Sequence, residues 1–466
     1  MSSMIKKEAV GKNERHVKRK KIIVSLLVTL VVCFVILLGG IYRYRSINAI
    51  DRQVHDRIEA ALTITSAQDS TIYIHPFRTS DSYIVVIPSH WDISDLMLAN
   101  VDNSLTLKLP NSDMPLSEMP EKLSLESDSA VVLKQSGWLK SNVSLKIVKS
   151  QIGVVSVTIR PDALAEIHGD KNHKEEGWVE MVDASGEEHL SEALSYIKGR
   201  GNGTWNNMPK RPYKIKLEKK HSVFGLSKDD EFNLLANYLD HSVLRNWIVN
   251  SVAKDIGMDY TYKSDFVSLY VNGYYLGLYE ITNRIQVGKR FVDIDDLEKR
   301  TKEINDKKLK KYPSAWVKNE NGVSIRKGIG EANSPEDITG GYLFEITNWG
   351  AEKKEEEKSY FQSQRGSLLV LKSPKYATME EVDYISSYFQ TLEDMVYDSG
   401  SSVSGWKDDI DIKSFAQYYL CQEVFQNYDA GIGSFFMYKD RDSSLTQLQA
   451  GPIWDFDACM GNEHCY

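Results

Sequence analysis

One long apolar run stands out near the start of the chain. Residues 22–42 carry no charge and match the roughly 20 residues with which a helix crosses a bilayer. The preceding residues, 1–21, hold eight Lys/Arg against two Glu, and such a basic excess marks the cytoplasmic side of a span. We expect an uncleaved signal anchor, with residues 1–21 in the cytoplasm and the bulk of the chain outside the cell membrane. A cleaved signal peptide is the alternative, which the length of the run disfavours.

After the anchor the pattern changes from helical to strand-like. Residues 43–69 are predicted to form a helical stalk, because apolar residues recur every four positions from Ile50 to Leu62. Residues 70–150 contain short alternating runs separated by turns rich in Pro, Ser, Asn and Asp, which predicts a small β-sandwich-like module. Nothing in this module suggests catalysis, so a spacer or adhesion role is expected. Its predicted strands include 71–74, 83–87, 105–109 and 143–147.

From residue 152 to residue 466 strand and helix patterns are mixed, which predicts an α+β domain. Asn272-Gly273 between two alternating runs is a strong hairpin signal. A helix is predicted over 234–256, with a start signal at Asp240-His241-Ser242 inside it. Residues 301–337 are rich in Lys, Glu and Asn and are expected to be a solvated insertion. The other predicted strands are 154–159, 178–182, 213–217, 266–271, 274–280, 340–346, 368–371, 435–439 and 449–455, and the other helices are 379–398 and 412–426.

Composition narrows the functional class. The formal net charge is −8 although the first 21 residues are basic, so the remainder is more acidic still. This argues against nucleic acid as a partner. Cys33 lies in the apolar run, and Cys421, Cys459 and Cys465 show no spacing typical of a zinc site or a disulfide framework.

The strongest candidate for chemistry is an acidic pair, Asp455 and Asp457, in the sequence GPIWDFD. On an extended segment, side chains two positions apart point the same way. Two carboxylates facing one point would suit Mg²⁺, which takes oxygen ligands and often bridges to phosphate. A strand that ends in a solvated acidic turn would have the same residues, and the pair alone leaves both interpretations open.

A glycine-rich segment before a basic strand is the second candidate. Residues 199–205 read GRGNGTW, and glycines let backbone N–H groups approach a phosphate closely. In the strand that follows, Lys214 and Lys216 share one face and Tyr213 lies on the other. This pattern favours a phosphate-binding surface. A tight turn before a solvated strand is the alternative.

The third candidate is a loop after a predicted helix, where Ser434 follows Asp429 by five positions. A kinase catalytic loop has an Asp that orients the acceptor hydroxyl and, five positions later, an Asn that holds a metal. Here a hydroxyl, a poorer ligand, takes the Asn position. A helix-terminating turn is the alternative for this loop alone. Asp455 comes 26 residues after Asp429, and the three segments together favour a kinase-like site.

Five segments in a fixed order resemble the CotH family, the spore coat protein H-like kinases. The resemblance covers about residues 152–466. It implies a two-lobed atypical protein kinase that uses ATP with Mg²⁺ or Mn²⁺ to phosphorylate Ser or Thr of exported proteins. The segments are GRGNGTW (199–205), KRPYKIKL (210–217), NLLANYLD (233–240), YVNGYYLGLYE (270–280) and GPIWDFD (451–457).

The resemblance also implies roles for the acidic residues. Asp429 matches the catalytic aspartate of the family and Asp455 matches its metal-binding aspartate. Asp457 would be an accessory metal ligand, and Ser434 is a further ligand candidate.

On the nucleotide side, Arg200 and Lys214 are the expected phosphate contacts. Lys216 is the alternative phosphate contact to Lys214 if the strand faces the other way. Residues of the 233–240 segment would orient the lysine, as a helix glutamate does in ordinary kinases, and an acid of the 270–280 segment would lie near the hinge. These remaining candidates are Asn237, Asp240 and Glu280.

The predicted signal anchor and the resemblance to the CotH family together predict a membrane-anchored, extracytoplasmic kinase. Its expected partners are exported Ser/Thr-containing proteins and, through residues 22–42, the membrane. Family members are expected to continue past the Asp-Phe-Asp motif through further helices, so a chain ending at Tyr466 predicts a shortened C-terminal lobe and a weakened acceptor site. The alternative is a catalytically inactive pseudokinase that acts as a surface or cell-wall binding protein.

Overall fold

The computed structural model describes residues 62–67, 69, 71–78, 83–100, 107–108, 121–122, 130–135, 142–187, 189–347, 356–397, 406–444 and 447–462. The predicted tail (1–21), anchor (22–42) and most of the stalk lie outside these residues. Within the described ranges no helix has both the length and the hydropathy that a membrane span requires. The chain divides into two compact units. The first comprises the residues up to Val86 and Trp91–Val148, and the second comprises Ile87–His90 and the residues from Lys149 onward.

The N-terminal unit contains two small sheets. β1 pairs with β4 and β4 with β6, while the other sheet has the order β2-β3-β8-β7-β5. The predicted strands 83–87 and 143–147 are confirmed as β3 and within β8. The strands are β1 (Leu62–Ser66), β2 (Phe77–Arg78), β3 (Tyr83–Ile87), β4 (Leu96–Asn100), β5 (Leu107–Lys108), β6 (Glu121–Lys122), β7 (Ala130–Gln135) and β8 (Asn142–Lys149).

The end of the predicted stalk helix is wrong, because β1 lies there. Leu62, Ile64 and Ser66 are buried and alternate with half-buried threonines, which is the period-two pattern of a strand. β1 pairs antiparallel with β4, from Leu62 opposite Asn100 to Ser66 opposite Leu96. Pairing with a strand distant in sequence therefore overrides the four-residue spacing that ended at Leu62.

The C-terminal unit begins with a closed seven-stranded barrel in the order β10-β11-β12-β13-β15-β14-β9. Its strands pair antiparallel except for the parallel pair β14 and β9. Alternate apolar side chains fill the interior, among them Val157, Ile215 and Phe232. The strands are β9 (Gly153–Ile159), β10 (Glu175–Val182), β11 (His189–Gly199), β12 (Tyr213–His221), β13 (Asp229–Leu235), β14 (Ser264–Val271) and β15 (Tyr274–Asn283).

Local turn chemistry correctly predicted the β14–β15 hairpin. Asn272 and Gly273 have φ angles of 49° and 79°, as the type I′ turn of a two-residue hairpin requires. The helices that flank the barrel are α1 (Ala163–Gly169), α2 (Gly203–Asn207) and α3 (Arg245–Asp255).

The predicted helix over 234–256 is wrong at its start. Leu234 and Leu235 belong to β13, where Leu234 is fully buried in the barrel core. The helix begins only at Arg245, after the start signal at Asp240. Two consecutive leucines fit a helix or a buried strand equally well, and the barrel decides between them.

A second, seven-stranded sheet with the order β16-β17-β19-β20-β18-β21-β22 follows the barrel. Phe344, Phe361 and Leu369 pack with α5 in its core. The predicted strands 340–346, 368–371 and 435–439 and the helices 379–398 and 412–426 are confirmed with small shifts. The elements are α4 (Leu297–Glu303), β16 (Ser314–Lys318), β17 (Ser324–Ile329), β18 (Tyr342–Ile346), β19 (Tyr360–Gln362), β20 (Leu368–Ser373), α5 (Met379–Tyr397), α6 (Trp406–Asp409), α7 (Ile412–Val424), β21 (Phe435–Lys439) and β22 (Gln449–Ala450).

Residues 301–337 are not simply a solvated insertion. β17 is an inner strand that pairs with both β16 and β19, and Thr301, Lys327 and Ile329 are buried. The prediction is wrong at these positions because the polar composition of the segment does not reveal the sheet that covers it.

The end of β11 gives a test of this packing. A Cβ on Gly199 would collide with the ring of Trp205, which is 5% exposed, whereas a Cβ on Gly203 would meet nothing within 4 Å. We expect Gly199→Ala to lower the free energy of unfolding by about 1–3 kcal/mol through overpacking. Gly203→Ala, at the first residue of α2, should be neutral or slightly stabilising. Urea denaturation of the full-length chain measures both, and equal effects of the two substitutions would contradict the packing described.

Candidate active site

A narrow cleft brings residues from distant parts of the chain together. Arg200, which directly follows β11, lines this cleft together with Asp455 and Asp457. The predicted phosphate contact and the predicted metal ligands therefore share one site. The lining also includes Thr204, Pro212, Leu235, Ala236, Asn237, Asn246, Tyr262 and Trp454.

The Asp-Phe-Asp segment is fixed by its central residue. Phe456 is 1% exposed and packs in an apolar cluster with Val249 of α3 and Tyr418 of α7. Its backbone N–H donates to Oδ1 of Asn246 at 2.7 Å. Anchoring Phe456 in the core leaves the flanking carboxylates at the cleft.

The predicted strand over 449–455 is wrong beyond Ala450. β22 ends there, and Asp455 has a φ of 69°, in the left-handed region. The alternation argument that was to align the two carboxylates therefore does not apply. Both reach the cleft because they flank an anchored Phe456 in an irregular segment.

The loop after α7 meets this segment as predicted. Ser434 Oγ donates to Oδ2 of Asp455 at 3.1 Å. Asp429 lies close enough to Asp455 that burial, together with the charge of Asp455, raises the pKa of Asp429. Its Oδ1 is buried and accepts no hydrogen bond from the residues described.

Asp455 and Asp457 thus line the cleft, and Asp429 lies within electrostatic reach of Asp455. Burial and the charges of Asp455 and Asp429 raise the pKa of Asp457 to about 8. Their oxygens are not drawn into a tight cage: in the described part of the chain, three ligand atoms lie within 4.8 Å of one another only at Glu166, His173 and Glu175. Like charges and an unpartnered buried oxygen favour a divalent cation here. The residues fit Mg²⁺ or Mn²⁺, with other oxygen ligands completing the shell.

Arg200 is the cation nearest to these acids in the cleft lining. Its guanidinium lies over the Trp454 ring, 5.8 Å from the centroid, and Trp454 in turn packs edge-on against Tyr262. Burial lowers the pKa of Arg200, and the charges of Asp455 and Asp457 oppose that effect. Arg200 is therefore held at the acidic end by both stacking and charge.

Lys214 has a partner that the sequence analysis missed. Its Nζ lies 3.6 Å from Oε2 of Glu231 on the neighbouring β13, and Glu231 also accepts a hydrogen bond from the hydroxyl of Tyr196. Burial lowers the pKa of Lys214 to about 8. Although burial raises the pKa of Glu231, Arg284 and Lys214 lower it to about 2. Lys214 and Glu231 thus form an ion pair beside the cleft.

The expectation that Asn237 and Asp240 orient Lys214 is wrong, because the ammonium of Lys214 pairs with Glu231 instead. In the sequence, Glu231 is visible only as part of an acidic run, 229–231. Its role as a partner of the basic strand can be seen only when the register between β12 and β13 is known. That register places Glu231 directly opposite Lys216.

Lys216 lies on the same face as Lys214, as predicted, but its charge is already balanced. Its Nζ is 2.7 Å from Asp230 and 3.3 Å from Glu231. Of the two lysines, Lys214 is the one electrostatically close to Arg200.

Asp240 was predicted to contact the cofactor, but its carboxylate instead binds residues at the start of α3. It is 1% exposed, and Oδ2 accepts from the backbone N–H of Arg245 at 2.8 Å. Oδ1 accepts from the backbone and hydroxyl of Ser242 and pairs with the guanidinium of Arg245. Both oxygens are therefore used to hold the start of α3.

Glu280 lies behind the cleft wall, near the end of β15 where the chain leaves the barrel. Its Oε2 accepts from Asn237 Nδ2 at 2.8 Å, and Asn237 Oδ1 accepts from Asn246. Burial raises the pKa of Glu280. Glu280 thus supports the residues that line the cleft.

The family model described as CotH kinase protein matches residues 197–465. The match includes all the predicted site residues from Arg200 to Asp457. It begins inside β11, so β9 and β10, which close the barrel, precede it. No curated protein sequence matches the chain significantly.

The raised pKa of Asp457 predicts a pH dependence of stability. Between about pH 4 and about pH 8, the folded chain keeps a proton that the unfolded chain has released, so the free energy of unfolding should fall as pH rises. The slope should reach at most about 1.4 kcal/mol per pH unit. Urea denaturation in EDTA between pH 5.5 and 8 measures it, and Asp457→Asn should flatten the curve. An unchanged slope in Asp457→Asn would show that other groups cause it.

Proposed function

The chain belongs to the CotH kinase family, and on that premise we propose that it is a membrane-anchored, extracytoplasmic protein kinase. It transfers the γ-phosphate of ATP to Ser or Thr of exported proteins. The observation that carries the proposal is the cleft itself, which Arg200 lines together with Asp455 and Asp457 and which the loop of Asp429 adjoins. A buried arginine beside a carboxylate cluster suits a metal-bound polyphosphate.

The aspartates and the cations have different tasks in this proposal. Asp455 and Asp457, with Ser434 beside them, would hold Mg²⁺ or Mn²⁺. When bound, that ion supplies positive charge that neutralises the phosphate oxygens. Arg200 and Lys214 bind and orient the phosphates from the barrel side, and Glu231 keeps the Lys214 ammonium in place.

Asp429 is the residue that handles the proton. Its unpartnered Oδ1 is available to accept a hydrogen bond from the acceptor hydroxyl, and a raised pKa makes the carboxylate a better proton acceptor. As the hydroxyl oxygen bonds to the γ-phosphorus and the bond to ADP breaks, the hydroxyl proton passes to Asp429.

The location rests on the first 42 residues. The apolar run 22–42 and the basic cluster before it support an anchor that leaves the catalytic unit outside the cytoplasm. Acceptors would then be proteins exported to the same side of the membrane.

A pseudokinase that binds surface components is the second candidate. One observation favours it. Ser434 takes the position of the metal-binding Asn of ordinary kinases, and its hydroxyl donates a hydrogen bond to Asp455. One conventional metal ligand is thereby missing.

Phosphate transfer separates the two candidates. With γ-labelled ATP and Mn²⁺ or Mg²⁺, we expect the full-length chain to label itself or a Ser/Thr-rich acceptor. Asp455→Ala and Asp429→Ala should each reduce labelling at least about 100-fold, since one removes a metal ligand and the other the proton acceptor. Asp255→Ala is the matched control, because Asp255 is exposed at the end of α3, away from the cleft.

The outcomes of this assay are distinct. Labelling that persists in Asp455→Ala would refute the site assignment. Nucleotide-induced thermal stabilisation of the wild type without any labelling would favour the pseudokinase.

Topology has its own test. Protease added to intact cells that express the full-length chain should digest epitopes placed after residue 43, because these residues are expected outside. An epitope at the N-terminus should remain protected until the cells are lysed. Complete protection of both epitopes would overturn the proposed orientation.

A further inference from the structure

Two lysines lie opposite each other on neighbouring barrel strands, close in sequence or in charge interaction to Arg200. Lys198 of β11 lies directly opposite Lys214 of β12. Side chains in such pairs have Cβ atoms about 4.5–5.5 Å apart, and like charges placed this way are destabilising. The arrangement therefore calls for negative charge nearby.

The protein pairs a carboxylate directly with only one of the two lysines. Lys214 has Glu231, whereas no carboxylate of the described residues lies within 4.0 Å of the Lys198 ammonium. Lys198 is half-buried, and burial together with the charges of Lys174, Lys171 and Lys375 lowers its pKa, an effect that the charge of Glu231 only partly opposes. Its surroundings are thus strongly positive and incompletely neutralised.

The neighbouring cations come from separate elements. Lys171 donates to the Gly201 carbonyl at 3.1 Å and so ties the glycine-rich loop in place. Lys375 follows β20 of the other sheet, and its backbone N–H donates to Glu298 at 2.5 Å. The Lys171 ammonium therefore binds a backbone oxygen, whereas the charge of Lys375 also acts on the Glu298 carboxylate.

We propose that Lys198 is a phosphate-binding residue and that, beside Lys214, it forms a subsite for the terminal phosphates of the nucleotide. The inference rests on the proposed kinase function and extends it to a residue that the motifs did not indicate. Phosphate has several strong acceptor oxygens and more than one negative charge, so it can satisfy several ammonium groups together. Arg200, two positions after Lys198, links this subsite to the aspartates.

The subsite should recognise the polyphosphate rather than the nucleoside. Lys198→Gln in the full-length chain should weaken binding of ATP at least about tenfold, the loss expected for one charge-assisted hydrogen bond. Binding of AMP should change less than about twofold. Lys198→Arg should retain most of the ATP affinity because it keeps the charge.

A matched control excludes a general charge effect. Lys219 is exposed on β12, two strand positions beyond Leu217, and Lys219→Gln removes the same charge. Calorimetric titration of each variant with ATP, AMP, inorganic tripolyphosphate and inorganic phosphate gives the four affinities. Thermal midpoints should be equal among variants, which shows that each is folded.

The outcomes separate this inference from the proposed function. If the wild type binds neither ATP nor tripolyphosphate, both fail. If it binds tripolyphosphate in a Lys198-dependent way but not ATP, the anion subsite stands and the kinase proposal fails. If Lys198→Gln binds ATP as the wild type does, or loses ATP and AMP equally, the subsite is refuted. Inorganic phosphate binding as tightly as tripolyphosphate would also refute it, since the site would then serve a single phosphate.

Discussion

The burial of Phe456 is the constraint on which the site depends. Its ring is packed between α3 and α7, and its N–H is held by Asn246 of α3. The start of α3 is held in turn by Asp240, whose oxygens cap the helix and pair with Arg245. Asp240, which is not itself in the cleft lining, thereby helps to decide where Asp455 and Asp457 lie. Removing the cap would leave a largely buried Arg245 unpaired, which is costly.

Around this anchor the site brings together two groups of like charges, and each group alone is electrostatically unfavourable. The charge of Asp455 raises the pKa values of Asp429 and Asp457, and Lys198 lies among lysines whose charges Glu231 only partly offsets. Clusters of like charges with shifted pKa values are typical of functional sites, where a bound ligand of opposite charge offsets the repulsion. A polyphosphate with a divalent cation carries both signs and would relieve both groups at once, whereas either component alone would relieve only one.

What the sequence could and could not predict follows from the range of the interactions. The Asn272-Gly273 hairpin was predicted because its turn chemistry is local, and the order of the motifs pointed to the residues that meet in the cleft. Glu231 was missed because its role depends on the register between β12 and β13, which no single segment encodes. The strand nature of Leu234 and the burial of Lys327 likewise depend on neighbouring strands. Asp455 and Asp457 were expected to point the same way because the segment 449–455 was predicted to be a strand. The strand ends at Ala450, and the two side chains share the cleft because both flank the buried Phe456.

The barrel also shows that the site needs more chain than the motifs cover. The family match begins at residue 197, yet β11 is positioned by its pairing with β10, which in turn pairs with β9. β9 closes the barrel by pairing in parallel with β14. Lys198 and Arg200 lie at the end of β11, so their placement opposite the aspartates depends on strands that precede the matched region. The smallest structural unit that can present this cleft therefore begins no later than Gly153, the first residue of β9.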